Sequence, residues 1–449
     1  MVISKLKNAL ENFYLIPAIF VFAVLGRIFN VVNLTLPIIA VVIMLILVLC
    51  EDAKNVLAII FYAPFYIKDI VENPNDILFA VLIVGVVSSL VYFTVRKLKK
   101  LKEQNQIKKG KLYVPLIIVT IAYLLGGVAY EFNIVTSIVI LVFSLATFLF
   151  YFIALNCIKD TYEFLGKLFV VGAIFVGFMI MFENYVKHGG IEYIFNRSQD
   201  TWVGAENVNV ASIFIMLGIG GAFSLGYKTN HDRFYFLLSL VFYLFVIITY
   251  CRMVLVVSTL ALIVFTILSL IKSPDKKKYL ICLVAVILAL AVAVVVCWNT
   301  ILILIREMSY KSLLGGREEL WPWCIQTFKQ NIVFGVGFKI NGTVPTMGEG
   351  AEHYVLAHNA LLQWLTSLGL VGTICMLGYL VVKYKILLNN FFSSGLILRL
   401  LIIFIAISSL VDQAPQMDPF IYNIVIVLIA SIEKLSFHKT KKEIENEKN

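Results

Sequence analysis

The stretch YLICLVAVILALAVAVVVCWNTILI, residues 279–303, contains no charged residue, and three lysines, Lys276, Lys277 and Lys278, stand directly before it. A helix needs roughly 20 apolar residues to cross the hydrocarbon core of a bilayer, so this stretch is long enough. Its apolar residues are continuous rather than alternating, which favours a helix over a strand of a membrane barrel. The stretch therefore predicts a transmembrane helix with a basic flank.

Similar stretches recur along most of the 449 residues. The chain is 61% hydrophobic and 14% charged, whereas a soluble domain averages about 45–50% apolar and about 25% charged residues. The candidate spans are 13–30, 33–50, 55–69, 77–95, 112–130, 134–154, 165–185, 208–226, 233–250, 253–271, 279–303, 359–382, 397–412 and 419–433. We therefore expect an all-α polytopic membrane protein with about 12–14 spans and no separate soluble domain.

The net charge of +10 comes from lysines and arginines in short loops between the apolar stretches. This distribution argues against a nucleic-acid partner and makes the bilayer the expected partner. If segment 55–69 spans, the basic residues 96–111, 272–278, 383–385 and the C-terminal tail all lie on the cytoplasmic side, as do both termini. That segment is short and contains Pro64, so a re-entrant path remains an alternative.

The two longest non-cytoplasmic loops are then 184–208 and 306–357. In the second, Leu320, Cys324, Ile325 and Phe328 recur at helical spacing, which predicts a short amphipathic helix along the outer membrane surface. Pro322 fits such a helix only in its first turn. Arg317 is then expected at or just before that turn, directed at the outer leaflet.

Three further polar residues are expected at the same face. His358 opens the next span, where the positive end of a helix disfavours imidazolium and leaves a neutral ring able to act as a base. Arg252 and Arg197 carry the forked guanidinium that matches phosphate. The structural alternatives are a helix-capping or interfacial role for His358 and simple snorkelling for Arg252. Gly335 and Gly337 are better interpreted as turn glycines than as a phosphate loop, because no strand-to-helix setting surrounds them.

As an ordered set, these residues resemble the O-antigen ligases and polymerases of bacterial envelope polysaccharide synthesis. The motifs that carry the resemblance are Gly316-Arg317, Trp321, Gly335-Val336-Gly337-Phe338, His358-Asn359 and Leu368-Gly369-Leu370-Val371-Gly372. Upstream, Asn207-Val208-Asn209 resembles an Asn-Pro-Asn segment of the family with valine replacing proline. Cys251-Arg252 resembles its Ser-Arg with cysteine replacing serine. The resemblance covers about residues 197–372.

The resemblance implies a metal-independent and cofactor-free glycosyltransferase in the bacterial inner membrane, with its active site on the non-cytoplasmic face. Its donor would be an undecaprenyl-pyrophosphate-linked glycan and its acceptor a glycan hydroxyl, with a flippase and a chain-length regulator as further expected partners. The implied catalytic residues are His358, Arg317 and Arg252. The implied substrate-binding residues are Arg197, Asn207, Asn209, Trp321 and Asn359.

By this interpretation, residues 1–190 are N-terminal spans, 191–384 form the catalytic core, and 385–449 are C-terminal spans with a basic tail. A repeat-unit polymerase for O-antigen or capsule is favoured, because no appended outer domain is available to recognise a protein acceptor. A ligase that transfers the glycan to lipid A core or another acceptor stays open. The alternative of another class is a flippase or transporter, for which the sequence shows neither the internal repeats nor the broken helices common in transporters.

Overall fold

The computed structural model describes residues 2–29, 31–65, 76–129, 134–158, 160–189, 202–203, 206–229, 231–296, 317–337, 344–348, 351–355, 357–392, 395–410 and 418–446. The elements of the first half are α1 (Val2–Glu11), α2 (Leu15–Ile28), α3 (Val32–Leu49), α4 (Lys54–Phe61), a 3₁₀ turn (Ala63–Phe65), α5 (Asp76–Glu103), α6 (Tyr113–Leu125), α7 (Ile134–Asn156), α8 (Thr161–His188) and the strands β1 (Trp202–Val203) and β2 (Glu206–Asn207).

The second half of the chain is also largely helical. Its elements are α9 (Val208–Lys228), α10 (Asp232–Thr249), α11 (Arg252–Lys272), α12 (Lys276–Val296), α13 (Arg317–Gln330), β3 (Val344–Gly348), β4 (Ala351–Val355), α14 (Ala360–Leu388), α15 (Leu396–Ser408) and α16 (Pro419–Asn446). β1 with β2, and β3 with β4, form two small antiparallel hairpins. The expected all-α architecture is confirmed, with these hairpins as additions outside the bundle's helices.

Seven helices of the described residues are long and apolar enough to cross a membrane, and an eighth span is possible if α1 and α2, bent by 80°, count as one. The seven are Thr136–Asn156, Thr161–Val186, Val208–Lys228, Asp232–Thr249, Arg252–Lys272, Ala360–Leu388 and Pro419–Phe437. Three shorter apolar helices accompany them: Leu34–Leu49, Tyr113–Leu125 and Leu396–Ser408. The larger number of 12–14 spans stays a prediction, because some expected spans run outside the described residues.

Helix α9 lies at the centre of the bundle, and 94% of its most apolar 18-residue stretch is buried by other parts of the protein. It packs antiparallel to α8 through small residues: Gly218 faces Ala173, and Gly221 faces the carbonyl of Gly166. Membrane helices have no hydrophobic driving force for association in lipid, so close backbone approach at small residues is a common source of their packing energy. The polar residues at both ends of α9 are thereby held in fixed positions.

The basic segments meet at one end of the bundle, which we call the basic end. The contacts that join them are Lys97 with Glu51, the Lys111 N–H with Glu433, Lys434 with the Ile158 carbonyl, and Lys228 with Glu163. The hydrogen bond from Lys97 lowers the pKa of Glu51 to about 2, so this carboxylate is charged at neutral pH. The grouping agrees with the expected common side of the basic loops, while the compartment that this end faces stays a prediction.

The orientation of α5 bears on whether the chain crosses the membrane at segment 55–69 or returns to the same side. This helix has 28 residues, a length of about 42 Å at 1.5 Å per residue. Near its C-terminal end, Lys97 pairs with Glu51 at the basic end. The Asp76 end of α5 must then lie towards the opposite end, whereas Asn55 bonds to the carbonyls of Leu10 and Asn12 near the basic end. The chain therefore changes ends between Asn55 and Asp76, as the charge argument requires.

Two predicted boundaries are wrong. The span expected over 112–130 ends as a helix at Leu125, because Gly127 adopts a left-handed backbone with φ of 75° and turns the chain. The span expected over 359–382 continues as a helix to Leu388, so Lys383 is not a loop residue. Its side chain is 2% exposed. A hydrophobic stretch can continue through a lysine when neighbouring helices cover it, and sequence hydropathy does not register that cover.

Candidate functional site

Helix α14 is broken at Gly369, whose φ of 62° and ψ of −164° are not helical. The segment 332–337 inserts beside the break and pairs with it through main-chain hydrogen bonds. These are Val336 N–H to Thr366 O (2.8 Å), Gly337 N–H to Ser367 O (2.9 Å), Leu370 N–H to Ile332 O (2.7 Å) and Val371 N–H to Val333 O (3.2 Å). They satisfy polar groups that the break removes from the helix, as irregular backbone within a membrane bundle requires. The sequence showed no broken helices in matching positions, and it did not reveal this single break in α14.

The glycines of this segment are turn residues, as the sequence predicted. Gly335 and Gly337 have φ of 65° and 82°, values that residues with a Cβ rarely adopt. The N–H of Gly127 donates to the carbonyl of Phe334 (2.9 Å), so the end of α6 joins the same backbone cluster. We call residues 332–337, the break at Gly369 and Gly127 the glycine junction. It fixes the end of the outer loop against two helices.

Helix α13 begins at Arg317, where the sequence placed the first turn of an amphipathic helix. Pro322 is the sixth residue of the helix and not in its first turn, so that expectation is wrong; Pro322 has no N–H to bond to the carbonyl one turn earlier. Ile325 is 44% exposed within the protein, so its side chain is open to contact with lipid, as an amphipathic helix on the membrane surface requires. Cys324 is buried with Ala357, and burial raises the pKa of its thiol to about 11. Cys324 is therefore a packing residue and not a nucleophile at neutral pH.

Trp321 joins α13 to the residue that precedes His358. Its indole Nε1–H donates to the carbonyl of Ala357 at 3.1 Å. The N–H of Ala357 in turn donates to Oε1 of Gln363 at 2.8 Å. His358 follows with φ of 49°, a left-handed backbone that is uncommon for a residue with a Cβ and often marks functional sites. Side chains from two helices thus hold the peptide groups on both sides of Ala357.

Asn359, and not His358, caps helix α14. Its Oδ1 accepts the N–H of Leu362 at 3.0 Å, the usual geometry of an N-cap. Its Nδ2 donates to the carbonyl of Leu410 at 2.9 Å, beyond the end of α15. Helix capping is therefore the role of Asn359 and not of His358. His358 is half-buried and lies one residue before the N-cap, so it does not open the helix as the sequence predicted.

The contact of Trp321 with Ala357 links α13, which begins at Arg317, to the residue before His358. Arg317 lies four residues before Trp321 on α13, so the two side chains share one face of the helix. Trp321 contacts Ala357, directly before His358. The guanidinium is half-buried at the first residue of the helix. Arg317 and His358 are thus connected through one intervening contact, that of Trp321 with Ala357.

Arg252 and the segment Asn207-Val208-Asn209 each lie at the start of a helix. Arg252 is the first residue of α11, and α9 begins directly after Asn207. The rings of Phe223 on α9 and Phe265 on α11 are 5.4 Å apart, and both helices run towards the basic end. The starts of α9 and α11 therefore lie towards the same end of the bundle, opposite the basic end. Arg197 lies outside the described residues.

Sequence reasoning missed two polar features. Arg27 of α2 and Glu183 of α8 form a buried ion pair at 2.8 Å, with side chains 11% and 8% exposed. Counting ten residues from the contact of Ala173 with Gly218, to 183 and to 208, places Glu183 level with the start of α9. The other feature is Gln363. Arg27 and Glu183 could have been singled out from the sequence, because each is a charged residue within a predicted span and such residues often mark functional sites.

The arrangement offers anion binding and proton transfer. Guanidiniums bind two oxygens of a phosphate at once, and this binding is stronger where water is scarce. A neutral imidazole accepts a proton. Among the described residues no group of three or more His, Cys, Asp or Glu side chains is suited to hold a metal ion.

Comparison with known proteins gives one finding. Residues 234–377 match the family described as O-antigen ligase. The matched region begins in α10, ends in α14 and contains Arg252, Arg317, Trp321, His358 and Asn359. No curated protein and no solved structure matches the chain. A match to this family indicates a glycosyltransferase-like function on lipid-linked glycans in a membrane.

Proposed function

We propose, from the assignment of this chain to the O-antigen ligase and polymerase family, that it transfers a glycan from undecaprenyl pyrophosphate to a hydroxyl of an acceptor glycan, without a metal ion. The observation that carries the proposal is the hydrogen bond from Trp321 to Ala357. It joins the helix that starts with Arg317 to the residue before His358. A phosphate-binding group and a proton acceptor then share one surface.

In the proposed reaction, the acceptor oxygen forms a bond to the anomeric carbon of the donor as the bond from that carbon to the pyrophosphate breaks. The electron pair leaves with undecaprenyl pyrophosphate, and the proton of the acceptor hydroxyl passes to His358. Arg317 and Arg252 bind the pyrophosphate and stabilise the negative charge that develops on it. His358 contributes as a general base, typically worth about 10²–10⁴-fold in rate.

The remaining assigned residues have supporting roles. Arg197, Asn207 and Asn209 are proposed to bind the donor at the starts of the helices near Arg252. Trp321 offers its ring to a sugar, since its N–H is bound to Ala357. Asn359 uses its amide for capping, so its contribution to substrate binding is proposed to act through the position of His358.

We favour a repeat-unit polymerase in the bacterial inner membrane, acting on the non-cytoplasmic face with both termini cytoplasmic. A ligase is the second candidate, because the matched family is described by that activity. Purified protein in liposomes, supplied with an undecaprenyl-pyrophosphate-linked repeat unit, distinguishes the two. A ladder of lengthened glycans supports a polymerase, and transfer of one intact glycan only to an added acceptor supports a ligase.

The same assay can contradict the transferase proposal. His358→Ala serves as the control that should release no undecaprenyl pyrophosphate. If the wild-type protein moves the intact lipid-linked glycan across the membrane and releases no undecaprenyl pyrophosphate with any acceptor, the chain is a flippase. The proposal would then be wrong in its reaction and not only in its substrate.

A further inference from the structure

We propose that Gln363 is a positioning residue that sets the orientation of His358; this inference rests on the proposed function. Gln363 lies in the first turn of α14 and is fully buried, with 0% of its surface exposed. A buried amide without hydrogen bonds costs several kcal/mol, so its position within an apolar bundle requires specific partners. The structure provides them on both ends of the side chain.

The amide of Gln363 makes two hydrogen bonds of 2.8 Å. Its Oε1 accepts the main-chain N–H of Ala357, and its Nε2 donates to Oγ of Ser367 one turn further along α14. The N–H of Ala357 can only donate, so it directs the amide oxygen of Gln363 at Ala357 and leaves the amide nitrogen facing Ser367. The side chain reaches backwards from the helix to the loop that carries His358.

The bond to Ala357 matters because it acts on the backbone next to the proposed base. Trp321 holds the carbonyl of Ala357, and Gln363 holds its N–H. His358 then adopts φ of 49°. A left-handed backbone is unfavourable for a residue with a Cβ, so it persists where the surrounding contacts impose it. Gln363 and Trp321 are the side chains that hold the preceding residue.

Gln363 also links His358 to the glycine junction. Its partner Ser367 accepts the N–H of Gly337 through its main-chain carbonyl at 2.9 Å. A continuous path of hydrogen bonds thus runs from Ala357 through Gln363 and Ser367 to the loop segment that follows α13. The loop that carries His358 and the segment that follows the helix of Arg317 are therefore both hydrogen-bonded to the same stretch of α14.

The decisive variant is Gln363→Met, which keeps the length of the side chain and removes both hydrogen bonds. Its matched control is Thr373→Val, another buried polar residue of α14, whose hydroxyl donates to the Gly369 carbonyl and not to the loop. Gln363→Glu retains an acceptor for Ala357 and should restore part of the lost function. Ser367→Ala removes only the hydrogen bond of the amide nitrogen and gives a milder test if Gln363→Met does not fold.

Two measurements are needed. Hydrogen exchange followed by mass spectrometry, on protein in detergent, reports the amide of Ala357 without any assumption about activity. Gln363→Met should speed exchange in the peptide containing Ala357 by about tenfold or more, and Thr373→Val should leave that peptide unchanged. Glycan transfer in liposomes should show kcat lowered about tenfold to a hundredfold, as for a misplaced catalytic group, with the donor KM within about threefold.

The outcomes separate this inference from the proposed function. Unchanged exchange at Ala357 in Gln363→Met, or faster exchange with normal kcat, overturns the positioning role. A rise in donor KM with normal kcat also overturns it, because it would place Gln363 in donor binding. Absence of transfer by the wild-type protein refutes the proposed function and with it the catalytic meaning of Gln363, while the exchange result still decides whether the contact holds the loop.

Discussion

Replacing Gly335 with alanine tests whether the glycine junction is a built part of the site. A Cβ on Gly335 would lie 2.5 Å from the carbonyl carbon of Ser367 and 2.5 Å from the carbonyl oxygen of Thr366, both main-chain atoms. The backbone must therefore move, and the left-handed φ of 65° adds roughly 1–2 kcal/mol for a residue with a Cβ. Loss of the two hydrogen bonds of Val336 and Gly337 adds about 0.5–1.5 kcal/mol each. We expect Gly335→Ala to destabilise the protein by about 2–5 kcal/mol in total.

Two other glycines separate the causes. Gly189 has φ of 74° but open space around its Cβ position, so Gly189→Ala should cost only the conformational term of roughly 1–2 kcal/mol. Gly378 lies within α14, also in open space, and Gly378→Ala should be neutral or stabilising by up to about 1 kcal/mol. The measurement is the midpoint of thermal unfolding of each variant in the same detergent. Unfolding is monitored by a thiol-reactive dye, which labels buried cysteines such as Cys324 as they become exposed. A midpoint for Gly335→Ala at or above that of Gly189→Ala would refute the reasoning.

Three further predictions concern the site and its orientation. Arg317→Lys should lose most transfer activity at normal protein abundance, because lysine keeps the charge but not the forked donor geometry of guanidinium. Arg252→Lys should lose less activity. Normal amounts of polymer from both variants would show that these arginines are interfacial anchors. His358→Gln and His358→Ala should both abolish transfer in liposomes while donor binding changes by only a few-fold, and full turnover by the glutamine variant would leave His358 without a proton-transfer role. A single cysteine at the exposed Lys385 should react with an impermeant maleimide only after the inner membrane is opened, whereas one at Thr343 should react without opening; the reverse pattern would invert the topology.

The sequence predicts some features of the candidate site and misses others. The apolar stretches, the start of a helix at Arg317 and the turn glycines Gly335 and Gly337 could all be predicted, because each depends on residues close together in the chain. The capping role of Asn359 was not recognised, although an asparagine before an apolar run is a common helix start. Assigning the cap to Asn359 changes the interpretation of His358, since it removes the capping alternative and leaves that of an interfacial histidine.

Only the tertiary structure decided how these pieces meet. Helix α14 breaks at Gly369 because residues 332–337, more than 30 positions earlier in the chain, supply the hydrogen-bond partners that the break needs. Gln363 is one polar residue of an apolar span until its contact with Ala357 is seen. Arg27 and Glu183 are separated by more than 150 residues and pair across two helices. Hydropathy is a sum over neighbours in sequence, so it determines which segments enter the membrane, whereas the partners of a buried polar group depend on which helices pack together.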